Sequence, residues 1–569
     1  MALVDCGDGV RLERGLLCRM SDGVRLVSDH YYPFGDGPFP TLLMRQPYGR
    51  DIASTVVYAH PVWFARHGYH VVIQDVRGRG DSEGEFYPFR NERKDGAETI
   101  AWLRGHPQCN GRIGMYGFSY QGLTQLLAAV EQPEGLVCIA PGMTAYDLYH
   151  GWFYRNGALR LSATLAWGIQ MLRADARRRG LREASATLEG AWNNVRAQTN
   201  FVPYAGHPAL SDDGLPEYVR DWVANDRSGE YWESLDVSGD LDKVSVPALH
   251  VSGWFDTYLN GSVDGFLALT KHAATEFARE HQYLVAGPWI HIPWGDMIGG
   301  QNLGAEALLD TDAVLLRWFN HWLKDSGDFA DEPKIRHFAL GENRWHGAEH
   351  WPGRSAVDLY LQSEGRANSR KGDGRLEERA PRADEPRDIF VYDPEVPVLA
   401  PGGALALSGP TDQTEMDLGN NLLVYTGEPL REALHVFGHP RITLYAATSA
   451  RSADFTAKLV RVLSDGRTQF VCMGVARSSY LFARANYDAD EIQRWEFDLD
   501  PTSCVFSPGE RLRLEIASSA FPLYDRNSST EVAASHASHW KWGRSTQQVL
   551  HSVEHPSVLR LPVAEERSR

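Results

Sequence analysis

Two periodicities divide the chain. In its first half, short runs of consecutive apolar residues alternate with stretches whose apolar positions recur every three or four residues. The runs are Pro40–Arg45, Tyr69–Asp75, Arg112–Gly117, Gly135–Ala140, Val246–Gly253 and Gln282–Gly287. Unbroken apolar runs of this length mark strands buried on both faces. The stretches between them read as helices. One runs from Ser54 to His67. Another follows Asp95 and Glu98, which are spaced like a capping box, and carries Ile100, Ala101 and Leu103. A third runs from Tyr120 to Gln132, with Leu123, Leu126, Leu127 and Val130 on one face. Val314, Leu315, Trp318, Phe319, Trp322 and Leu323 form a last helical face that closes this part near Gly327. Alternating strands and helices predict an α/β domain around a parallel sheet covered on both sides.

The rhythm breaks twice. From about residue 145 to 240 strand signals vanish, and helix-like stretches rich in Ala, Arg and Trp (159–179, 181–198 and 216–225) read as an inserted helical cap. From about Arg336 the texture becomes short alternating strands between Gly, Pro, Asp and Asn turns, the mark of an all-β sandwich or jelly roll. The predicted organisation is a core in two parts, 1–144 and 241–350, a cap at 145–240 and a jelly roll at 351–569. The tail Glu565–Arg569 reads as frayed.

Composition changes this picture little. A chain of 569 residues exceeds one core, and 43% apolar with 23% charged residues is globular. A formal charge of −17 disfavours nucleic acid and anionic membrane as partners. The N-terminus carries acids where a signal peptide needs basic and apolar regions, and no stretch reaches the ~18 apolar residues of a spanning helix. The expectation is a cytoplasmic enzyme. Six scattered cysteines without a CxxC pair indicate neither a zinc site nor a disulfide framework. No phosphate loop, nucleotide fingerprint or metal-ligand spacing appears, so neither a cofactor nor a metal is expected. Glu83 and Glu85 read as parts of a structured loop.

The chemistry gathers at Gly117-Phe118-Ser119-Tyr120-Gln121-Gly122, between a strand and a helix. This is the layout of a nucleophile elbow, with its second glycine one place late. A serine nucleophile needs a base and an acid that orients the base. The strand at Ala248 runs into Ser252-Gly253-Trp254-Phe255-Asp256, and the strand at Tyr283 into Gly287-Pro288-Trp289-Ile290-His291. Acid and histidine thus follow the serine in the order of an α/β-hydrolase. Asp256 also suits a helix cap and His291 a solvated loop; Asp264 and His281 are the rivals. For the oxyanion, the Tyr120 amide is one donor. The phenol of Tyr48, after the first core strand, is either a second donor or packing.

The strings PYGR at 47–50, DVRGRGDSEGEF at 75–86, GFSYQG at 117–122, GWFD at 253–256 and GPWIH at 287–291 resemble the cocaine esterase-like hydrolases of the X-Pro dipeptidyl peptidase (S15) group. FTAKLVRV at 455–462 and RLRLEIASSAFPLYDRN at 511–527 resemble that group's jelly roll. The family elbow reads G-x-S-Y-x-G, with the late glycine. The resemblance spans nearly the whole chain. It implies an α/β-hydrolase core, a helical cap and a C-terminal jelly roll. It also implies Ser119 as nucleophile, His291 as base, Asp256 as orienting acid, and an oxyanion hole of the Tyr48 hydroxyl and Tyr120 amide. Trp152, Phe153, Trp167 and Tyr258 are candidates for an apolar acyl pocket or for ordinary cap packing. The reading is a serine hydrolase acting on a small ester or amide, with or without a homodimer. X-Pro dipeptidyl peptidase, β-lactam acylase and an inactive carbohydrate- or partner-binding scaffold are the alternatives.

Overall fold

The computed structural model describes residues 4–564 except residues 8, 52–55, 211–213, 328, 354, 401–408 and 483–488. An eleven-stranded sheet forms the core. Its order is Val4–Asp5, Arg11–Arg19, Arg25–Tyr32, His70–Asp75, Phe39–Gln46, Cys109–Phe118, Leu136–Gly142, Ala248–Gly253, Gln282–Gly287, Ile335–Ala339, Arg344–Ala348. From His70–Asp75 across to Ile335–Ala339 the strands run parallel. Both edges are antiparallel.

Leu42, Leu43, Met44, Val71, Val72 and Ile73 are fully buried because helices cover both faces. Helices Glu92–Arg104 and Tyr120–Ala129 pack on one face. Pro61–Arg66 and Thr311–Lys324 pack on the other, with Phe64, Trp318 and Phe319 in the core.

Two helix starts differ from the sequence reading. The helix expected from Ser54 begins at Pro61, whose fixed φ suits a first position, and His60 Nδ1 accepts the Val62 N–H at 3.2 Å; Ser54 itself lies outside the described residues. The helix carrying Asp95 and Glu98 begins at Glu92, so those two acids form no capping box. Asp95 instead receives Arg77 at 2.7 and 2.9 Å and ties down the loop after the His70–Asp75 strand.

After Gly142 the chain leaves the sheet for the cap. A π-helical turn (Tyr149–Phe153) and a hairpin (Tyr154–Arg155 with Ala158–Leu159) lead into helices Leu161–Arg178, Arg182–Asn193, Val195–Gln198, Tyr218–Ala224 and Glu230–Glu233. Two buried charge clusters fasten this cap. Arg79, from the core, meets Asp175 at 2.9 Å, and Tyr218 Oη donates to the same carboxylate at 2.8 Å. On the other side Arg477 lies between Asp454 (2.8 Å) and Asp525 (2.9 Å) of the β domain. Asp525 also accepts the Leu159 N–H (2.9 Å) and Tyr204 Oη–H (2.6 Å) of the cap.

From Ala356–Gln362 to Val558–Pro562 a second eleven-stranded, mostly antiparallel sheet and a two-stranded ribbon (Leu434–Gly438 with Thr502–Phe506) build the C-terminal β domain. It docks on the core-sheet edge, where His337 stacks on Phe437 at 3.8 Å and its Nδ1 meets Ser503 Oγ at 2.9 Å. All six cysteines are free thiols. Among the described residues no helix is long and apolar enough to cross a membrane.

Candidate active site

Ser119 stands at the turn between the Cys109–Phe118 strand and the Tyr120–Ala129 helix, at φ +61° and ψ −128°. A non-glycine residue there is strained, and the surroundings must hold it. Gly117, at φ +137°, permits the turn: a Cβ there would lie 2.5 Å from Gln121 Cβ. The late glycine has a physical reason. A Cβ on Gly122 would meet Thr144 Cβ at 2.7 Å and Gly142 O at 2.8 Å, so the close approach of helix and neighbouring strand falls at that position. Gln121 is buried, and its Oε1 accepts the Phe118 N–H at 3.3 Å. Ser119 N–H is bonded to Gly142 O at 2.8 Å.

The structure brings the three predicted residues together. His291 Nε2 accepts from Ser119 Oγ at 3.1 Å, and His291 Nδ1–H donates to Asp256 Oδ1 at 2.7 Å. Ser119 is only 6% exposed and Asp256 is fully buried. The acid and base loops are laced together: Trp254 N–H bonds Gly287 O at 2.9 Å, and Phe255 N–H bonds Trp289 O at 3.0 Å. The imidazole sits between Phe118 (centroids 5.4 Å apart) and Tyr258 (5.1 Å, edge-on). The rivals are elsewhere. Asp264 pairs with His439 at 3.4 Å, and His281 Nδ1 bonds Phe277 O at 2.7 Å.

Both candidate oxyanion donors border Ser119. The Tyr120 amide opens the helix, where an N–H has no intrahelical acceptor. Its ring is fixed below: Tyr120 Oη donates to Glu92 at 2.8 Å, and Glu92 pairs with the buried Arg45 at 2.8 Å. Tyr48 Oη is within hydrogen-bonding reach of Ser119 and accepts the Trp167 indole N–H at 3.2 Å. Burial pushes the Tyr48 phenol up to about 12, so it stays protonated and can donate at neutral pH. Tyr48 is anchored through its backbone. Its N–H bonds Gln46 Oε1 (2.7 Å), Gln46 Nε2 bonds Asp75 (3.1 Å), and Asp75 takes Arg50 through N (2.8 Å) and Nη1 (2.6 Å).

The aromatic candidates form a wall. Tyr258 stacks on Trp152 with centroids 4.0 Å apart, Trp152 lies 5.5 Å from Trp167, and Trp167 stacks on Trp222 at 4.9 Å. Phe153 packs on Trp222 (4.6 Å) and Trp232 (4.9 Å), within the cap. Phe89, which no sequence signal singles out, joins the wall 5.3 Å from Trp152 and 5.8 Å from Trp167.

One further cluster offers ligand atoms. Nitrogens of His30, His70 and His106 lie within 4.8 Å of one another. Sequence spacing could not show it, because the three histidines come from separate elements. The pair in it is already satisfied: His30 Nδ1 meets His70 Nε2 at 2.9 Å, His30 Nε2 meets Ser28 Oγ at 2.9 Å, and His70 Nδ1 meets Thr41 Oγ1 at 3.2 Å. His70 opens its strand, whereas Ser119 follows the end of a parallel one, so the trio is remote from the serine.

A serine on a strained strand-to-helix turn, with a buried aspartate and a histidine after two later strands of the same parallel sheet and two candidate donors beside it, is the arrangement of an α/β-hydrolase. The X-Pro dipeptidyl-peptidase (S15 family) model matches residues 22–293, and the model of the C-terminal non-catalytic domain of X-Pro dipeptidyl-peptidase matches 327–560. The chain belongs to this S15 family. It is 34% identical over 566 residues to the cocaine esterase of Rhodococcus sp. (strain MB1 Bresler), covering 96% of this chain and 97% of that one. An aminopeptidase from a marine-sediment Thaumarchaeota archaeon superposes with a TM-score of 0.83 at 25% identity, over 97% of both chains. An α-amino acid ester hydrolase superposes with a TM-score of 0.77 at 24% identity, over 99% of this chain and 98% of that one.

Proposed function

We propose that the chain is a serine esterase working through an acyl-enzyme. The observation that carries this reading is the continuous chain Asp256–His291–Ser119, at 2.7 and 3.1 Å, ending on a serine held at positive φ. In the first half-reaction His291 Nε2 takes the Ser119 proton as Oγ attacks the carbonyl. Asp256, fully buried, holds the imidazole orientation and balances the imidazolium. The oxyanion is met by the Tyr120 amide and the Tyr48 hydroxyl. His291 then gives its proton to the leaving alcohol. Water enters by the same route and releases the acid. Apart from substrate and water, every group in this sequence is a side chain or amide of the chain. The wall of Trp152, Trp167, Tyr258 and Phe89 suits the apolar part of an acyl group, with Phe153 behind it.

Esters are favoured over amides by the likeness to a cocaine esterase across nearly the whole of both chains. Hydrolysis of p-nitrophenyl esters against X-Pro-p-nitroanilides separates an esterase from an X-Pro peptidase. Ser119→Ala should bring ester turnover to background while the protein stays folded; persisting turnover would remove Ser119 from the mechanism. The six free thiols, five of them buried, suit a reducing cytoplasm, the compartment we assign.

A further inference from the structure

The cap holds a buried cation that makes no ion pair among the described residues. Arg160 ends the Ala158–Leu159 strand and opens the Leu161–Arg178 helix; its N–H bonds Phe153 O at 2.8 Å and its carbonyl accepts the Thr164 N–H at 3.0 Å. Its side chain is 0% exposed. Among the described residues none of Nε, Nη1 and Nη2 has a hydrogen-bond partner. Three other sequestered arginines are paired: Arg45 with Glu92 at 2.8 Å, Arg79 with Asp175 at 2.9 Å, and Arg477 with Asp454 at 2.8 Å. Burial of an unpaired charge is costly enough that proteins supply a counter-charge.

Its surroundings suit an anion. Arg160, Thr164 and Trp167 follow the i, i+4, i+7 spacing of one helix stripe, and Trp167 is the residue whose indole reaches Tyr48. Thr164 Oγ1, Ser162 Oγ and Tyr524 Oη are also buried without partners, and the guanidinium carbon lies 5.9 Å from the Tyr524 ring centre. The segments meet directly, since Ser162 N–H bonds Pro522 O at 3.2 Å. The helix N-terminus adds its own positive end. Burial holds the Tyr258 and Tyr524 phenols above their ordinary range, and the nearby Arg160 charge opposes that shift at both. Tyr258 is the ring that stacks on Trp152 and meets His291 edge-on.

We propose that Arg160 is the anion-binding group behind the aromatic wall, and that it receives a carboxylate carried on the acyl part of the substrate. The preferred substrates are then monoesters of dicarboxylic acids. This rests on the ester-hydrolase reading and names its substrate class. A resident halide would meet the same chemistry, and the experiment separates the two sources.

Mono-p-nitrophenyl glutarate and p-nitrophenyl valerate, matched in chain length, are compared on the native chain, Arg160→Met and Arg160→Lys. The native chain should prefer the glutarate ester at least tenfold in kcat/KM, through KM. Arg160→Met should lose that preference, read as the ratio of the two kcat/KM values, and Arg160→Lys should keep part of it. Equal preference in the native chain and Arg160→Met overturns the substrate assignment. Thermal melts supply the independent arm. Glutarate should raise Tm of the native chain and not of Arg160→Met, even if neither ester is cleaved, an outcome that would sink the hydrolase reading alone. Stabilisation by chloride with no effect of glutarate assigns a resident halide and overturns the substrate class. No Arg160-dependent effect of either anion overturns the site.

Discussion

The sheet end that carries the candidate triad and the cap wall are built in different ways. At the sheet end each group sits on a loop leaving a parallel strand and is held mainly by backbone bonds: Ser119 N–H to Gly142 O, Trp254 N–H to Gly287 O, Phe255 N–H to Trp289 O. The cap wall is held by ring against ring, with buried ion pairs at its two margins. On the proposed function the first arrangement would fix atoms for bond making, and the second would shape the space next to them. Tyr48 belongs to both, since its backbone is tied to Gln46 and its hydroxyl accepts from Trp167 of the cap. Changes at the sheet end should therefore act on kcat, and changes in the wall on which substrate is used.

The largest effect expected at the sheet end is that of Asp256→Asn, which should keep the packing but misorient His291 and lower kcat by about 10⁴. A fall of tenfold or less would mean that Asp256 is only a loop residue. Tyr48→Phe should cost ~2.7–4 kcal/mol of transition-state stability, about 10²–10³ in kcat, with KM little changed. An unchanged kcat would leave the Tyr120 amide as the donor and make Tyr48 part of the wall.

These two residues also mark what the sequence made legible. Ser119, Asp256 and His291 could be picked out as candidates because each follows a strand, and strand ends are written locally as apolar runs stopped by glycine. The α/β class and the all-β end could be read from periodicity for the same reason. Gly122 was identifiable only as a family feature; its cause, contact with Thr144 and Gly142, is tertiary. The wall was harder. Trp152, Trp167 and Tyr258 stood out as aromatics near the site, yet Phe153, next in sequence to Trp152, packs into the cap on Trp222 and Trp232. Phe89 and Arg160 carried no local signal, because what they face is set by three segments meeting. Asp95 carried a misleading one: its spacing from Glu98 is that of a capping box, but Arg77 claims its carboxylate.

Trp167→Phe tests the join between the two regions. It keeps a ring and deletes one hydrogen bond to Tyr48, so kcat should fall about 2–10-fold, the worth of ~0.5–1.5 kcal/mol. The loss should vanish in a Tyr48→Phe background if the indole acts through that phenol; additive losses would show that Trp167 acts by shape alone.

The effect that is smallest per residue concerns the sheet and its seam with the β domain. Burial depresses His70 to about 3, His250 to about 4, His337 to about 2 and His435 to about 4. The unfolded chain then binds more protons than the folded one below the ordinary histidine range. The stability these neutral rings contribute is present above about pH 6.5 and drains away as pH falls toward the folded values. Going from pH 7 to pH 6 should cost about 0.7 kcal/mol for each such ring, read as a falling Tm. A flat Tm across that interval would show that these rings are not held neutral.

The most direct test of the central claim is labelling with a fluorophosphonate, followed by mass spectrometry of the tryptic peptides. The account predicts one equivalent of adduct, on Ser119, abolished by His291→Ala and prevented by prior occupancy of the acyl site. A folded protein that takes no label, or takes it on another serine, would contradict it.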